Sequence, residues 1–342
     1  METWQEAALV ADVGNRAQVP VISFAAPTIN PPLIQHDWPF LIRVASDRAA
    51  QMKCITDVVS LYTWKRVIVI YQDDGYGGDA GMLAVLSEAL QNVGSKIEHH
   101  LVLPRVSSLS NPSWGELEEI LKLPTFQSRV FIVLQLSFPA VTNLFRVAKK
   151  MGLVGRDSAW IITESITSLL DSQVNHDMVG TLGIKSYYAN NTSSYAKFVE
   201  VFQTRFPEED NSKPGIYALR AYDLIMIVSQ AIRNTTNSTN LQVLLNTVLN
   251  NYTCLSGKMH FKRGEVLYTP IFRIINIVEG NRHKELDLWR PEVGFSQSLS
   301  KETSKNRSDD VRTVVWPGNL TERAPKGWGA HCKKALENCG SR

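Results

Sequence analysis

Val67-Ile68-Val69-Ile70-Tyr71-Gln72-Asp73-Asp74-Gly75-Tyr76-Gly77-Gly78-Asp79-Ala80 is the stretch on which the reading of the fold turns. An uninterrupted apolar, mostly β-branched run meets a glycine-rich turn, which opens onto a segment of helical spacing at residues 79–93. A short continuous apolar run bounded by turn residues fits a strand buried on both faces. A strand that leads through a tight turn into a helix is half of a parallel strand-helix-strand unit.

The same alternation continues on both sides. Upstream, residues 19–24 form a strand pattern, and residues 47–64 place Met52, Ile55, Val58, Val59 and Tyr62 at helical spacing. Downstream, strands are expected at 96–103, 130–136, 159–163 and 179–188, with helices at 116–123 and 139–151 between them. Pro139 suits the first turn of its helix and Gly152 its stop. Residues 193–206 form an amphipathic helix ended by Pro207, and 214–233 and 241–249 are further helices. Residues 258–261 and 270–278 are late strands beside the Arg263-Gly264 turn, and residues 296–310 turn polar and charged, the pattern of a linker. The chain's 342 residues, 44% of them hydrophobic, exceed what one core of up to about 250 residues accommodates. The class is therefore α/β, with two mostly parallel sheets flanked by helices.

Bulk chemistry excludes several functions. The 36 basic residues are balanced by 33 acidic ones and gather into no basic stripe, which excludes nucleic acid as a partner. The helical run at 216–232 is interrupted by Arg220 and Asp223, so no segment offers the roughly 20 uncharged residues of a membrane span. Residues 1–10 contain Glu2 and Glu6 and lack the apolar core of a signal peptide. Acceptor triplets for N-glycosylation stand at Asn190, Asn191, Asn234, Asn237, Asn251, Asn306 and Asn319. Glycosylated loops are one reading; chance triplets in Asn-rich and Ser-rich loops are the other. Four cysteines permit a bridge. Cys54 with Cys254 and Cys332 with Cys339 is one of three pairings, and free buried thiols are the alternative.

No catalytic constellation emerges. Gly75-Tyr76-Gly77-Gly78-Asp79-Ala80 after a strand has the outline of a dinucleotide fingerprint, with Glu98 as its ribose partner, yet Asp73 and Asp74 would repel a pyrophosphate. The turn itself accounts for the glycines. Gly294-Phe295-Ser296-Gln297-Ser298 lacks the second glycine of a nucleophile elbow. His99 and His100 are neighbours on a strand and point to opposite faces. Glu116, Glu118 and Glu119 line a solvated helix face. A non-enzyme without cofactor or metal is the expectation.

Several stretches together resemble one family over nearly the whole chain. Gln18-Val19-Pro20-Val21-Ile22-Ser23-Phe24-Ala25-Ala26, Tyr62-Thr63-Trp64-Lys65-Arg66 running into the strand at 67–71, and Asp73-Asp74-Gly75-Tyr76-Gly77 are similar to the amino-terminal domain of plant glutamate receptor-like channels. Ala221-Tyr222-Asp223, Leu255-Ser256-Gly257, Ile274-Ile275-Asn276 and Trp289-Arg290-Pro291-Glu292-Val293-Gly294-Phe295 agree with it. Trp316-Pro317-Gly318 followed by Pro325-Lys326-Gly327-Trp328 looks like the connector to that channel's second ligand-binding domain.

The resemblance implies a two-lobed clamshell of the periplasmic-binding-protein type I class, each lobe a mostly parallel sheet flanked by helices. It implies a place at the extracellular face of the plasma membrane, in an amino-acid-gated cation channel, with an amino-acid-like ligand and other receptor subunits as partners. A stand-alone soluble small-molecule binding protein is the alternative. Residues 1–61 would begin lobe 1, 62–211 form lobe 2, 212–256 return to lobe 1, 257–295 close lobe 2, and 296–342 be linker and divergent tail. The family's leader and first strand-helix-strand unit precede the text matching Met1, and its pore follows Trp328, so the expectation is a chain cut at both ends. Carried over from related binders, the cleft positions fall at Ser23 and Ala25, at Tyr76 and Gly77, and at Glu164. Ser23 and backbone N–H groups would hold a carboxylate, Tyr76 would cover the ligand, and Glu164 would receive an ammonium. A turn cap at Ser23, surface packing of Tyr76 and a helix cap at Glu164 are the structural alternatives. Cys254 stands where the family usually has Gly before Leu-Ser-Gly.

Overall fold

A computed structural model describes residues 4–23, 38–45, 48–72, 78–103, 121, 127–168, 170, 176–207, 214–234, 254–262, 265–268, 270–280, 282–296, 314–319, 321 and 324–326. The described elements, in chain order, begin with α1 (Trp4–Ala17), β1 (Val21–Ser23), β2 (Leu41–Ala45), α2 (Arg48–Leu61), β3 (Arg66–Gln72), α3 (Gly78–Asn92), β4 (Lys96–Leu103) and β5 (Val130–Val133). They continue with α4 (Phe138–Lys150), β6 (Ala159–Ile162), α5 (Glu164–Thr167), a 3₁₀ turn (His176–Met178), β7 (Leu182–Ser186), α6 (Ser193–Arg205) and α7 (Ile216–Asn234). The last are β8 (Met259–Lys262), β9 (Glu265–Tyr268), β10 (Phe272–Val278), β11 (Arg282–Arg290) and β12 (Gly294–Phe295). The chain divides into two compact units: Met1–Asp47 with Gly75–Gly78 and Ser186–Pro270, and Arg48–Asp74 with Asp79–Lys185 and Ile271–Arg342.

The second unit is built on an eight-stranded sheet in the order β12-β11-β10-β7-β6-β5-β3-β4. The pairs β3/β4, β3/β5, β5/β6 and β6/β7 are parallel, and β10/β11 and β11/β12 antiparallel. The strand read first in the sequence sits at its centre, with Val67, Ile68, Val69 and Ile70 fully buried. Alternation sorts its residues onto two faces. Val67, Val69, Val130, Ile132, Ala159 and Ile161 meet Met52, Ile55, Val58 and Val59 of α2 and Met82, Leu86 and Leu90 of α3. Ile68, Ile70, Phe131, Val133, Trp160 and Ile162 meet Val141, Leu144, Phe145 and Ala148 of α4. On that face Phe131 stacks on Trp160 at 4.3 Å between centroids, and Phe145 lies 4.8 Å from it. Each fully buried Val, Leu, Ile, Met or Phe side chain among these stabilises the unit by about 1.5–3 kcal/mol.

The first unit carries the sheet β1-β2-β9-β8, parallel between β1 and β2 and between β2 and β9, antiparallel between β8 and β9. Ala11 of α1 is buried against Leu41, with Val21 and Trp38 beside them, and the Trp38 indole donates to Asp12 Oδ1 at 2.6 Å. Tyr188, Tyr195, Ile216 and Leu219 form a separate cluster that joins α6 to α7. Thr192 caps α6 by accepting from Tyr195 N at 3.2 Å.

The lobe boundaries expected from the sequence move in the structure. Helix α2, expected to complete lobe 1, falls in the second unit because its buried face packs on Val67 and Val69. Helix α6, expected in lobe 2, falls in the first unit, where Tyr195 packs on Ile216 and Leu219. Strands β8 and β9 belong to the first unit because β9 pairs with β2, Arg43 opposite Glu265; β10 to β12 alone join the second sheet. The helices expected at 116–123, apart from Leu121, and at 241–249 lie outside the described residues.

The Cys54–Cys254 pairing is corrected: both are free thiols. Cys54 is fully buried in α2 among apolar side chains of the second unit, whereas Cys254 belongs to the first, just before β8. Cys332 and Cys339 lie outside the described residues, as do Asn237, Asn251 and Asn306. Asn190 and Asn191 are exposed in the turn before Thr192, and Asn234 is the last residue of α7. The Asn319 amide is exposed and donates to Glu279 Oε1 at 2.9 Å. Among the described residues no helix is long and apolar enough to cross a membrane.

Candidate functional site

In open α/β sheets ligands collect outside the carboxyl ends of the parallel strands, where backbone turns into helices and donors point away from the sheet. In the second unit that edge comprises the end of β3 at Gln72 and the turns after β5 and β6. Thr163 follows β6 and starts α5, so Glu164 becomes the first helical residue, 6% exposed. The turn is bolted down from two sides. The Thr163 hydroxyl donates to Leu134 O just past β5, the Ser165 hydroxyl donates to the same carbonyl at 3.2 Å, and the two hydroxyls are 3.0 Å apart. Behind it the Thr167 hydroxyl donates to Ile184 O of β7 at 2.6 Å. Gly183 lets this helix approach, since a Cβ there would stand 2.6 Å from Thr167 Cγ2 and 2.9 Å from Ile275 Cγ1.

Beside that turn the edge presents the start of α4. Ser137 takes the N-cap position without a side-chain cap bond, and its N–H donates to Gln72 Oε1 at 3.4 Å. Gln72, the last residue of β3, donates its own N–H to Gln135 O at 3.1 Å. The hydroxyl oxygens of Ser137 and Ser168 are buried and have no hydrogen-bond partner among the described residues. Helix α4 has no acidic residue in its first turn and Lys149 and Lys150 in its last, so its N-terminus keeps its positive end-charge unopposed from within the helix. One edge thus offers a carboxylate at Glu164, and close by in the sheet a helix N-terminus with a spare hydroxyl. The first suits an ammonium and the second an anion.

In the first unit Ser23 closes β1, 1% exposed, its backbone in register with Arg43 of β2. Ser23 and Glu164 therefore each stand at the carboxyl end of a parallel strand, in their own units. Ala25, Tyr76 and Gly77 lie outside the described residues. The Glu98 reading of the glycine-rich turn fails on geometry: Glu98 lies within β4, and its carboxylate accepts from Gln127 N at 2.8 Å and Ser128 N at 2.9 Å. Among the described residues no group of His, Cys, Asp and Glu is arranged to hold a metal.

One polar centre escaped the sequence reading, which had its parts as separate landmarks. Asp223 of α7, fully buried, accepts from Leu255 N at 2.8 Å, from Ser256 N at 2.7 Å and from the Ser256 hydroxyl. Burial pushes its carboxyl above the ordinary range, and the hydrogen bonds from Ser256 and Leu255 pull part of the way back. Burial, followed by the Asp223 charge, drives the neighbouring Cys254 thiol far upward, so it is a poor nucleophile at neutral pH. One turn earlier on α7, Arg220 donates to Ser186 Oγ at 3.3 Å at the end of β7. Charged side chains buried in α7 thus tie it to Ser186 and to the turn before β8; the signal in sequence was a charge pair interrupting an apolar helix.

Comparison with known proteins identifies the family and the fold. The family model described as the receptor family ligand binding region matches residues 3–279. Glutamate receptor 2.7 of Arabidopsis thaliana is 29% identical over 95% of this chain and 36% of its own length, and glutamate receptor 2.4 is 27% identical over 95% and 38%. The chain spans little more than a third of the length of these relatives. Among solved structures, a leucine binding protein from Thermotoga maritima matches with a TM-score of 0.65 at 16% identity, over 85% of this chain and 79% of that one. A solute binding protein of an ABC transporter from Rhodopseudomonas palustris, in complex with 3,4-dihydroxy benzoic acid, matches at a TM-score of 0.62 and 19% identity, over 83% and 76%. The two-unit α/β architecture is the type I periplasmic-binding-protein fold. By name these relatives are receptors and solute-binding proteins, not enzymes.

Proposed function

Because the chain belongs to the family of receptor ligand-binding regions, we propose that it is the extracellular, amino-terminal ligand-binding domain of a glutamate receptor-like cation channel, taking an amino-acid-like small molecule. The observation that carries this reading is the strand-end edge of the second unit, where buried Glu164 follows β6 and α4 follows the neighbouring β5, its Ser137 hydroxyl buried without a partner among the described residues. A zwitterion carries both charges that edge can receive. Glu164 accepts the ammonium, and Ser137 with the first N–H groups of α4 takes the carboxylate. The other receptor subunits are the macromolecular partners.

The test is thermal unfolding of the intact chain with each of the twenty free amino acids at millimolar concentration. A ligand at a hundred times its Kd stabilises the folded state by about 2.7 kcal/mol, a readily measured rise in Tm. Glu164→Gln should abolish the rise for the responding amino acid while leaving the unliganded Tm within a few degrees. No rise with any of the twenty would overturn ligand binding and leave subunit assembly as the domain's role.

A further inference from the structure

After Ser296 the described chain resumes at Val314, and residues 314–319 and 324–326 pack on the second unit. Val314 and Trp316 are 1% and 2% exposed and belong to the same apolar cluster as Val67, Ile161 and Trp289. The indole of Trp316 stands edge-on to Tyr62 at 5.1 Å and to Trp64 at 5.9 Å, while those two rings stack at 4.9 Å. The side-chain amide of Asn276, fully buried on β10, does for Val315 what a neighbouring strand would do. Its Oδ1 accepts from Val315 N at 2.8 Å, and its Nδ2 donates to Val315 O at 2.9 Å and to Thr181 O at 3.2 Å. Further along, the Trp64 indole donates to Pro325 O at 2.8 Å. Backbone meets backbone at Gly180, which has φ of 92°, and a Cβ there would fall 2.2 Å from Pro317 N.

These fastenings share a location. Trp64 precedes β3, Gly180 and Thr181 precede β7, and the Ser95 hydroxyl ahead of β4 donates to Trp64 O at 2.8 Å. All three lie at the amino ends of the parallel strands, opposite the edge that carries Glu164. A flexible connector would leave its amides to water and its aromatics exposed; here the backbone of Val315 is satisfied by a buried side chain and Trp316 fills the core.

We propose that residues 314–319 and 324–326 form a strap that closes the amino-end pole of the second unit. A displacement or load applied at Lys326 then reaches the eight-stranded sheet through Pro325, Trp316 and Asn276. The strap is part of the folded second unit.

Hydrogen exchange by mass spectrometry on the full chain tests this. Peptides covering Val315 and Trp316 should be protected to the same order as those of β10. Asn276→Ala should speed their exchange by at least a hundredfold while peptides of β5 and β6 keep their protection. Trp64→Phe keeps the ring but removes the bond to Pro325 O, and should speed exchange at residues 324–326 by roughly threefold to tenfold, the effect of one lost hydrogen bond. If Asn276→Ala unfolds the unit as a whole, the milder Trp64→Phe decides. Exchange of the wild-type segment at the rate of an unstructured chain, or exchange at 324–326 unchanged in Trp64→Phe, overturns the strap.

Discussion

The two units reach stability by different routes. In the second, adjacent strands β3, β5 and β6 contribute runs in which every residue from Val67 to Ile70, from Val130 to Val133 and from Ala159 to Ile162 is buried, helices covering both faces. In the first, the described core is smaller, and its helices leave apolar side chains in water: Leu9 and Val13 on α1, Val201 on α6, Tyr222, Ile225 and Met226 on α7. What holds α7 there is in part polar, the Asp223 carboxylate clasping the backbone at residues 255 and 256. The second unit rests on apolar burial at its sheet; in the first, a buried, hydrogen-bonded carboxyl group adds to the apolar cluster of the described residues. Apolar burial is insensitive to pH; the contribution of the carboxyl group is not.

The largest blow to this contrast comes from Trp160→Ala. It removes a ring packed between Phe131 and Phe145 and should cost about 3–5 kcal/mol, read as a lowered urea midpoint for β3, β5 and β6 peptides in hydrogen exchange. A cost below 1 kcal/mol would mean that the second unit does not depend on this face. Next comes Asp223→Ala, which strands the buried Ser256 N–H and that of Leu255 and should destabilise the first unit by about 1–3 kcal/mol. Peptides of α7 and residues 254–258 should lose protection while those of β5 and β6 keep theirs. Equal loss in both units would show that they unfold as one.

A pH series sharpens the contrast further. Burial raises the Asp223 carboxyl above its unfolded value of about 3.9, so the folded state holds this proton when the unfolded state has released it. Its contribution to stability is fully present below the unfolded value and is lost as pH rises through the raised folded value. The stability of the first unit should fall across that window, and the slope should be smaller in Asp223→Asn, whose amide oxygen still accepts. A wild-type slope no steeper than that of Asp223→Asn would overturn the assignment to Asp223.

Legibility in the sequence followed the same division. Val67 to Tyr71, Val130 to Leu136 and Ala159 to Thr163 announced the second sheet because strands buried on both faces need apolar residues at every position. Strand β11 went unread because one of its faces is wet: Leu286 and Trp289 are buried, while His283 and Arg290 are exposed within a charged sequence. Helix α1 went unread because its buried contact is the small Ala11, with Leu9 and Val13 turned to water. Glu164 entered through the resemblance, whereas the buried Ser137 hydroxyl at the start of α4 follows from packing that local spacing does not record. Asp223 with Ser256, and Asn276 with Val315, join residues 33 and 39 positions apart, and local spacing carries no record of such pairs.

The smallest effect tests whether the bare helix faces of the first unit are what they look like. Ile225, 66% exposed, lies two residues past Asp223 on the opposite side of α7, and in water its side chain contributes little to folding. Ile225→Gln exchanges a branched side chain for a straight one of good helix propensity, so the change in stability should stay within about 0.5 kcal/mol. The same holds for Leu9→Gln on α1. Urea midpoints for the two variants, compared with Trp160→Ala in the same buffer, should differ from it by several-fold in effect. A loss above 1 kcal/mol in either variant would mean that the face is covered in solution, and the first unit would then depend on apolar burial as the second does. That outcome would leave Asp223 as a local fastening rather than a main support, and the pH slope of the first unit would have to be correspondingly shallow.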